Sequence, residues 1–175
     1  MTNRYPFSLI RWLTTGTAAS LLSMLALAWH GRRRHGSSTS LINAPSHWIF
    51  GDRALRANGI SWRFTLLGSL IHHASSLFWS AFYEATLNAR PSDTSDTGPD
   101  AAAPREPSTG MIVLNAAALT TLAWLVDTRI VPDRLSPGFQ RRSSKMGMLL
   151  IYGSFAAGLM LGARTPKRNH SQTDA

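Results

Sequence analysis

Four stretches of the chain are apolar over the length of a membrane helix, and polar segments separate them. The first, Trp12 to Trp29, reads WLTTGTAASLLSMLALAW, 18 residues without a charge. As a helix it spans about 27 Å, close to the ~30 Å hydrocarbon core of a bilayer. A tryptophan at each end suits the boundary between lipid and water. The second runs from Phe64 to Ala85 and is broken by His72, His73 and Glu84. The third covers Met111 to Val126 and extends toward Val131 across Asp127 and Arg129. The fourth, Met146 to Ala163, again has 18 residues and no charge.

None of these stretches alternates strictly between apolar and polar, so strands are not expected. A soluble helical bundle carries charges on its outer faces, and the first and fourth stretches have no charged face. A fully apolar helix suits the centre of a large soluble protein. In 175 residues, four helices cannot all be central. The pattern predicts an all-α integral membrane four-helix bundle. Residues 1–85 hold the first two spans (about 12–29 and 64–85) around a loop, 31–63. Residues 86–110 form a linker, 111–163 the last two spans (about 111–131 and 146–163), and 164–175 a polar tail. A rival reading takes the first stretch as a cleaved signal peptide, with Ala26-Leu27-Ala28 as its processing site. Its length and the Arg32-Arg33-Arg34 run that follows argue against that.

The connecting segments differ in kind. In loop 31–63, Asn43 and Pro45 read as a helix start and Gly51 as a stop. Leu41, Ile42, Trp48, Ile49 and Phe50 then make a short interfacial helix, or one folded against the bundle. Asp52 is placed to cap a further turn closed by Gly59. The segment 88–110 is rich in Pro, Ser, Asp, Thr and Ala, a composition expected to be disordered. Its acids Asp93, Asp96, Asp100 and Glu106 read as a solvated linker. Pro132, Pro137 and Gly138 force turns between the third and fourth stretches.

Charge adds topology. The chain carries 18 Lys+Arg against 9 Asp+Glu, a net charge of +9. With four spans, 11 basic residues fall in loops one and three and 7 on the opposite side. The positive-inside rule then places loops one and three in the cytoplasm and both termini outside. The basic residues flank apolar spans and lie on no single periodic face, and no nucleic-acid-binding motif accompanies them. Nucleic acid is therefore not an expected partner; anionic lipid is. The chain has no cysteine, which excludes disulfides, thiolate metal sites and a cysteine nucleophile.

Candidate chemistry centres on His72 and His73, halfway along the second stretch, where an unpaired polar group is expensive. Adjacent helical residues point about 100° apart. His73 shares a face with Ser76, Ser80 and Glu84, and His72 with Ser76, Trp79 and Tyr83, giving a polar stripe that should look into the bundle. Three roles are open to it: interhelical hydrogen bonding, a proton or ion path through His73 and Glu84, or a haem or metal site. Further ligands for the last are His47, His30, Glu84 and Asp127, but no tight ligand motif joins them. Glu84 and Asp127 sit near span ends and are expected in interfacial ion pairs, Asp127 with Arg129 or Arg134. Asn115 is expected to hydrogen-bond between helices. Ser154, Gly158 and Gly162 form a small-xxx-small series that lets a second helix approach, within the chain or in a homo-oligomer. No phosphate loop, nucleophile elbow or dinucleotide fingerprint is present.

The segments HHASSLFWSAFYE (72–84), DTRIVPDRLSPGF (127–139) and NAPSHWIFG (43–51) resemble small, uncharacterised four-span inner-membrane proteins of proteobacteria, over about half the chain. That resemblance implies fold and location, and no activity. The expected role is that of a non-enzymatic packing or interaction subunit, possessed of a lipid bilayer and a membrane partner or second copy as neighbours.

Overall fold

The structure, a computed structural model, describes residues 8–88 and 107–164. Most of the expected linker, with its four acids, and the tail beyond Arg164 lie outside the described residues. Among the described residues every regular element is helical. The first stretch forms α1 (Leu9–His35). Loop one holds a 3₁₀ turn (Ala44–Ser46) and two short helices, α2 (His47–Phe50) and α3 (Asp52–Arg56). A π-helical turn (Trp62–Leu66) leads into α4 (Leu67–Asn88). Helix α5 (Thr109–Leu125) ends in a second π turn (Val126–Ile130), and α6 (Lys145–Ala163) is last.

A serine starts each long helical segment. Ser8, Ser61, Ser108 and Ser144 each accept a hydrogen bond from the backbone N–H three residues on, satisfying one of the donors a helix start leaves open. Helix α1 stops at Gly36, whose φ of 69° suits the left-handed cap and whose N–H returns to Arg32 O at 3.1 Å. Arg32, Arg33, Arg34 and His35 fill its last turn, the favourable end of the helix dipole for cations.

Helices α1, α5 with its π turn, and α6 are each long and apolar enough to cross a membrane. The segment carrying α4 is as long but is not among them; His72, His73, its serines and Glu84 lower its hydropathy. The packing runs in a closed order: α1 lies against α4 and α6, and α5 against the same two. Contacts fix every neighbouring pair as antiparallel. Trp12 Nε1 donates to Leu77 O at 2.8 Å, and Tyr83 Oη to Ile112 O at 3.1 Å. One end therefore gathers the start of α1, the end of α4, the start of α5 and the end of α6. Loops one and three share the other end.

Small residues set the closest approach. A Cβ on Gly158 would land on the backbone of Ala19, and one on Gly162 on that of Thr15. The expected small-residue series thus packs within the chain, α6 on α1, through its two glycines. Gly16 does the same for α4, facing Ser80 and Leu77. Thr15, Ala19 and Ser23 are the matching series on α1, all buried.

Loops one and three lock into one cap. Phe139 is buried with Leu41, Ala44 and Leu27. Trp48 Nε1 donates to Ser136 O at 2.8 Å, and Arg142 reaches Ser40 O at 2.8 Å and Asn58 Oδ1 at 2.6 Å. Burial pulls the Arg142 guanidinium below its ordinary pKa, though arginine stays charged in proteins. One local expectation holds and one is corrected here. The 3₁₀ turn starts at Asn43 and Pro45 as expected, though the Asn43 side chain makes no cap bond; its amide donates to Ala57 O and Gly59 O, both at 3.0 Å, and its oxygen accepts from Thr65. Asp52 is the first residue of α3, and Gly51 (φ 60°) takes the capping position.

Candidate functional site

The long helices expose large apolar side chains and bury polar ones beside an apolar core that includes Tyr83, Leu87, Ile112, Phe155 and Leu159. Leu21, Leu25, Leu70, Phe78, Leu114, Leu122, Leu149 and Leu161 are exposed, at least two on each long helix. Thr15, Ser20, Ser23, Ser76, Ser80, Glu84 and Thr120 are buried. The polar interior divides into three levels.

At the end away from loops one and three lies an ion pair. Arg11 Nε donates to Glu84 Oε2, Arg11 Nη2 to Asn88 Oδ1 at 2.8 Å, and Thr15 Oγ1 to Glu84 Oε1 at 3.1 Å. The side chains are 10% and 1% exposed, so Glu84 is buried and does not reach water as expected. Its pairing was expected; its partner Arg11 was missed. Antiparallel spans supply the signal: a residue just before the first span faces one just after the middle of the second span's last turns.

Halfway along, His72 Nε2 sits 2.8 Å from Ser23 Oγ. The Ser23 hydroxyl has one proton, and it donates to Ala19 O at 2.7 Å. Ser23 Oγ also lies 3.2 Å from Ser20 O, so its single proton has two backbone carbonyls and the imidazole within reach. His72 lines a cavity of about 420 Å³ between α4, α5, α6 and loop three. Across that cavity Tyr152 Oη donates to Asp127 Oδ2 at 2.7 Å. This corrects the expected pairing of Asp127 with Arg129 or Arg134. The ion pairs among the described residues are Arg11–Glu84 and Arg141–Asp133.

In the cap, His47 is buried, with Nδ1 2.9 Å from Ala44 O and Nε2 3.1 Å from Asp133 O. His30 packs over Gly147, and its Nε2 is buried without a hydrogen-bond partner.

The sequence candidates are thus dispersed. Ser76 and Ser80 are buried as expected, but their hydroxyls donate to carbonyls of their own helix, His72 O and Leu77 O. Ser80 also approaches Trp12 O at 3.4 Å. His73 is half-buried and does not line the cavity with His72. Glu84 and His47 occupy opposite ends. Among the described residues no three His, Asp or Glu side chains gather as a metal site would require. Asn115, expected to bridge helices, donates instead to Met111 O one turn back in α5. Besides Arg11, the residues that sequence reasoning missed are Ser23, Tyr152 and Phe139, which meet His72 and Asp127 only through tertiary folding. No family model, curated protein or solved structure matches the chain.

Proposed function

We propose that the chain is a four-span protein of a bacterial inner membrane, a four-helix bundle that works without catalysis as a packing or interaction subunit. One observation carries the reading: the long helices turn large apolar side chains outward and hydroxyl, carboxyl and imidazole groups inward. In water that arrangement is unfavourable, because each exposed Leu or Phe forgoes about 1.5–3 kcal/mol of burial. In lipid it is the expected one, since polar groups there must find partners inside the protein. In this reading α4 crosses as well, its polar stripe shielded by α1. The short helices of loop one ride on the cap, where exposed Ile49, Ile60 and Trp62 suit the bilayer interface. The basic cap faces the cytoplasm and anionic lipid, and the outer apolar faces meet lipid and either a second copy or another membrane protein.

The two chemical alternatives have less support. A proton path through His73 and Glu84 would need the carboxylate free, and Arg11 holds it. A haem or metal site would need open imidazole nitrogens in one place, and His47, with both nitrogens beside carbonyls, lies in the cap apart from His72.

Native chemistry makes the test clean, because the chain has no cysteine. Single cysteines at Ser38 in loop one, Thr109 at the start of α5 and Arg134 in loop three are probed with an impermeant maleimide on spheroplasts. The proposal expects carbonate-resistant protein, labelling at 109 only, and labelling at 38 and 134 after lysis. If only α1, α5 and α6 crossed, positions 38 and 109 would label from one side and 134 from the other. Protein released by carbonate would refute the membrane reading itself.

A further inference from the structure

We propose that the cavity beside His72 binds a lipophilic organic cation, an ammonium or phosphonium centre on an apolar body. The cavity's volume, about 420 Å³, falls in the range of about 300–1,000 Å³ typical of small-molecule sites. Its walls are aromatic, with Trp48, Trp79, Phe139, Tyr152 and Phe155 among them. Aromatic faces attract cations and bury apolar groups.

The charge of the lining is the decisive feature. The chain as a whole carries +9, yet no Lys or Arg lines the cavity among the described residues. Its one acid is Asp127. Tyr152 orients that carboxyl through Oδ2, and neither ion pair of the described residues uses it. The hydroxyl oxygens of Ser23 and Ser76, whose protons reach carbonyls of their own helices, add acceptors. A carboxyl without a cationic partner in an apolar surround is costly. A bound cation offsets that cost, whereas an anion would meet the Asp127 carboxyl with no lysine or arginine in the lining. Ala74, Phe78 and Leu135 are the exposed residues of the lining and mark its mouth. The membrane reading supplies the route of entry from lipid; binding itself is independent of topology.

Tetraphenylphosphonium and tetraphenylborate share a shape and differ in charge, so they isolate this claim. Equilibrium dialysis against the full chain in neutral detergent should show saturable binding of the phosphonium and none of the borate. Asp127→Asn keeps an acceptor for Tyr152 and removes the charge. It should weaken binding about thirtyfold or more, the loss expected when one member of a buried charge contact is removed. Asp52→Asn, an exposed acid outside the cavity, should leave binding unchanged. Should Asp127→Asn lose its helical circular dichroism, Ala74→Trp decides, because it closes the mouth without touching a polar group and should abolish binding. Equal affinity for the borate, no saturable phosphonium binding, full binding by folded Asp127→Asn or by Ala74→Trp, or an equal loss in Asp52→Asn would each overturn the proposal. Because dialysis is done in detergent, its failure is distinct from failure of the labelling experiment.

Discussion

Removing one member of the Arg11–Glu84 pair should cost far more than removing both. The two side chains are 10% and 1% exposed, so surface-pair values of about 0–1 kcal/mol do not apply. Glu84→Leu leaves the Arg11 guanidinium among Thr15, Asn88 and the α1–α4 contact without a counter-charge. Arg11→Leu leaves the carboxylate with Thr15 alone. Breaking a buried pair this way costs about 3–5 kcal/mol, whereas replacing the whole pair with apolar residues of similar volume is often neutral or stabilising. Each single variant is thus expected to lose roughly two to nearly four orders of magnitude in its folding equilibrium. The Arg11→Leu/Glu84→Leu double variant should come within about 1–2 kcal/mol of the parent, a double-mutant coupling of several kcal/mol. Reversible unfolding in mixed micelles, titrated with sodium dodecyl sulfate and followed by tryptophan fluorescence, measures all four corners. Additive single losses, or losses below about 1 kcal/mol, would refute a buried, mutually dependent pair.

Four further outcomes follow from packing and hydrogen bonding. Gly158→Leu should destabilise the α1–α6 contact by at least about 1–3 kcal/mol, because its Cβ meets the Ala19 backbone. Gly153→Ala, with open space around it, should be neutral or stabilise by up to about 1 kcal/mol in the same titration. Asn43→Ala leaves the Ala57 and Gly59 carbonyls without their donor and should cost about 1–3 kcal/mol per group left buried and unpaired, read as faster hydrogen exchange in residues 57–65. His47→Ala should unlatch loop three, visible as new protease cleavage near Asp133 with the α1–α4 contact unchanged; a cap as resistant as the parent's would show that the two His47 carbonyl contacts do not hold it.

The long helices were legible because an uncharged run of 18 residues constrains its own structure. The limits of α6 follow the fourth run within one residue at its start, since Ser144 caps it and Arg164 follows it. Helix α1 outruns its apolar stretch at both ends, by the first turn from Ser8 and by the arginines that suit its C-terminus. Turns at Gly51 and Gly138 were legible for a similar reason, as both take a positive φ. The site was not. Sequence spacing shows which residues of one helix share a face, and it placed Ser76, Ser80 and Glu84 on a buried one. It carries no information on which residue of another helix stands opposite. Arg11 opposite Glu84, Ser23 opposite His72 and Tyr152 opposite Asp127 are separated by 73, 49 and 25 positions. Asn115 shows the reverse error: a polar side chain within an apolar run need not reach a neighbour when its own carbonyl one turn back is closer.

The interior explains how so few cross-helix bonds suffice to select one arrangement. Ser23, Ser76 and Ser80 each donate to a carbonyl of their own helix. Their protons being used, they offer neighbouring helices small surfaces and, at most, an acceptor. Close packing over Gly16, Gly158 and Gly162 then supplies contact without direction. Direction comes from the ion pair at one level and the Ser23–His72 bond at another, both joining α1 to α4. Sliding α4 by one helical turn, about 5.4 Å, would break both at once and leave a charge and an imidazole unpaired. In lipid, where apolar helix faces attract lipid as well as they attract each other, such polar bonds and close fits choose between otherwise similar packings. Helix α1 packs tightly on α4 and α6, and α5 more loosely on the same two. The cavity lies among α4, α5 and α6 toward the cap, and the Tyr152–Asp127 bond sits in its wall.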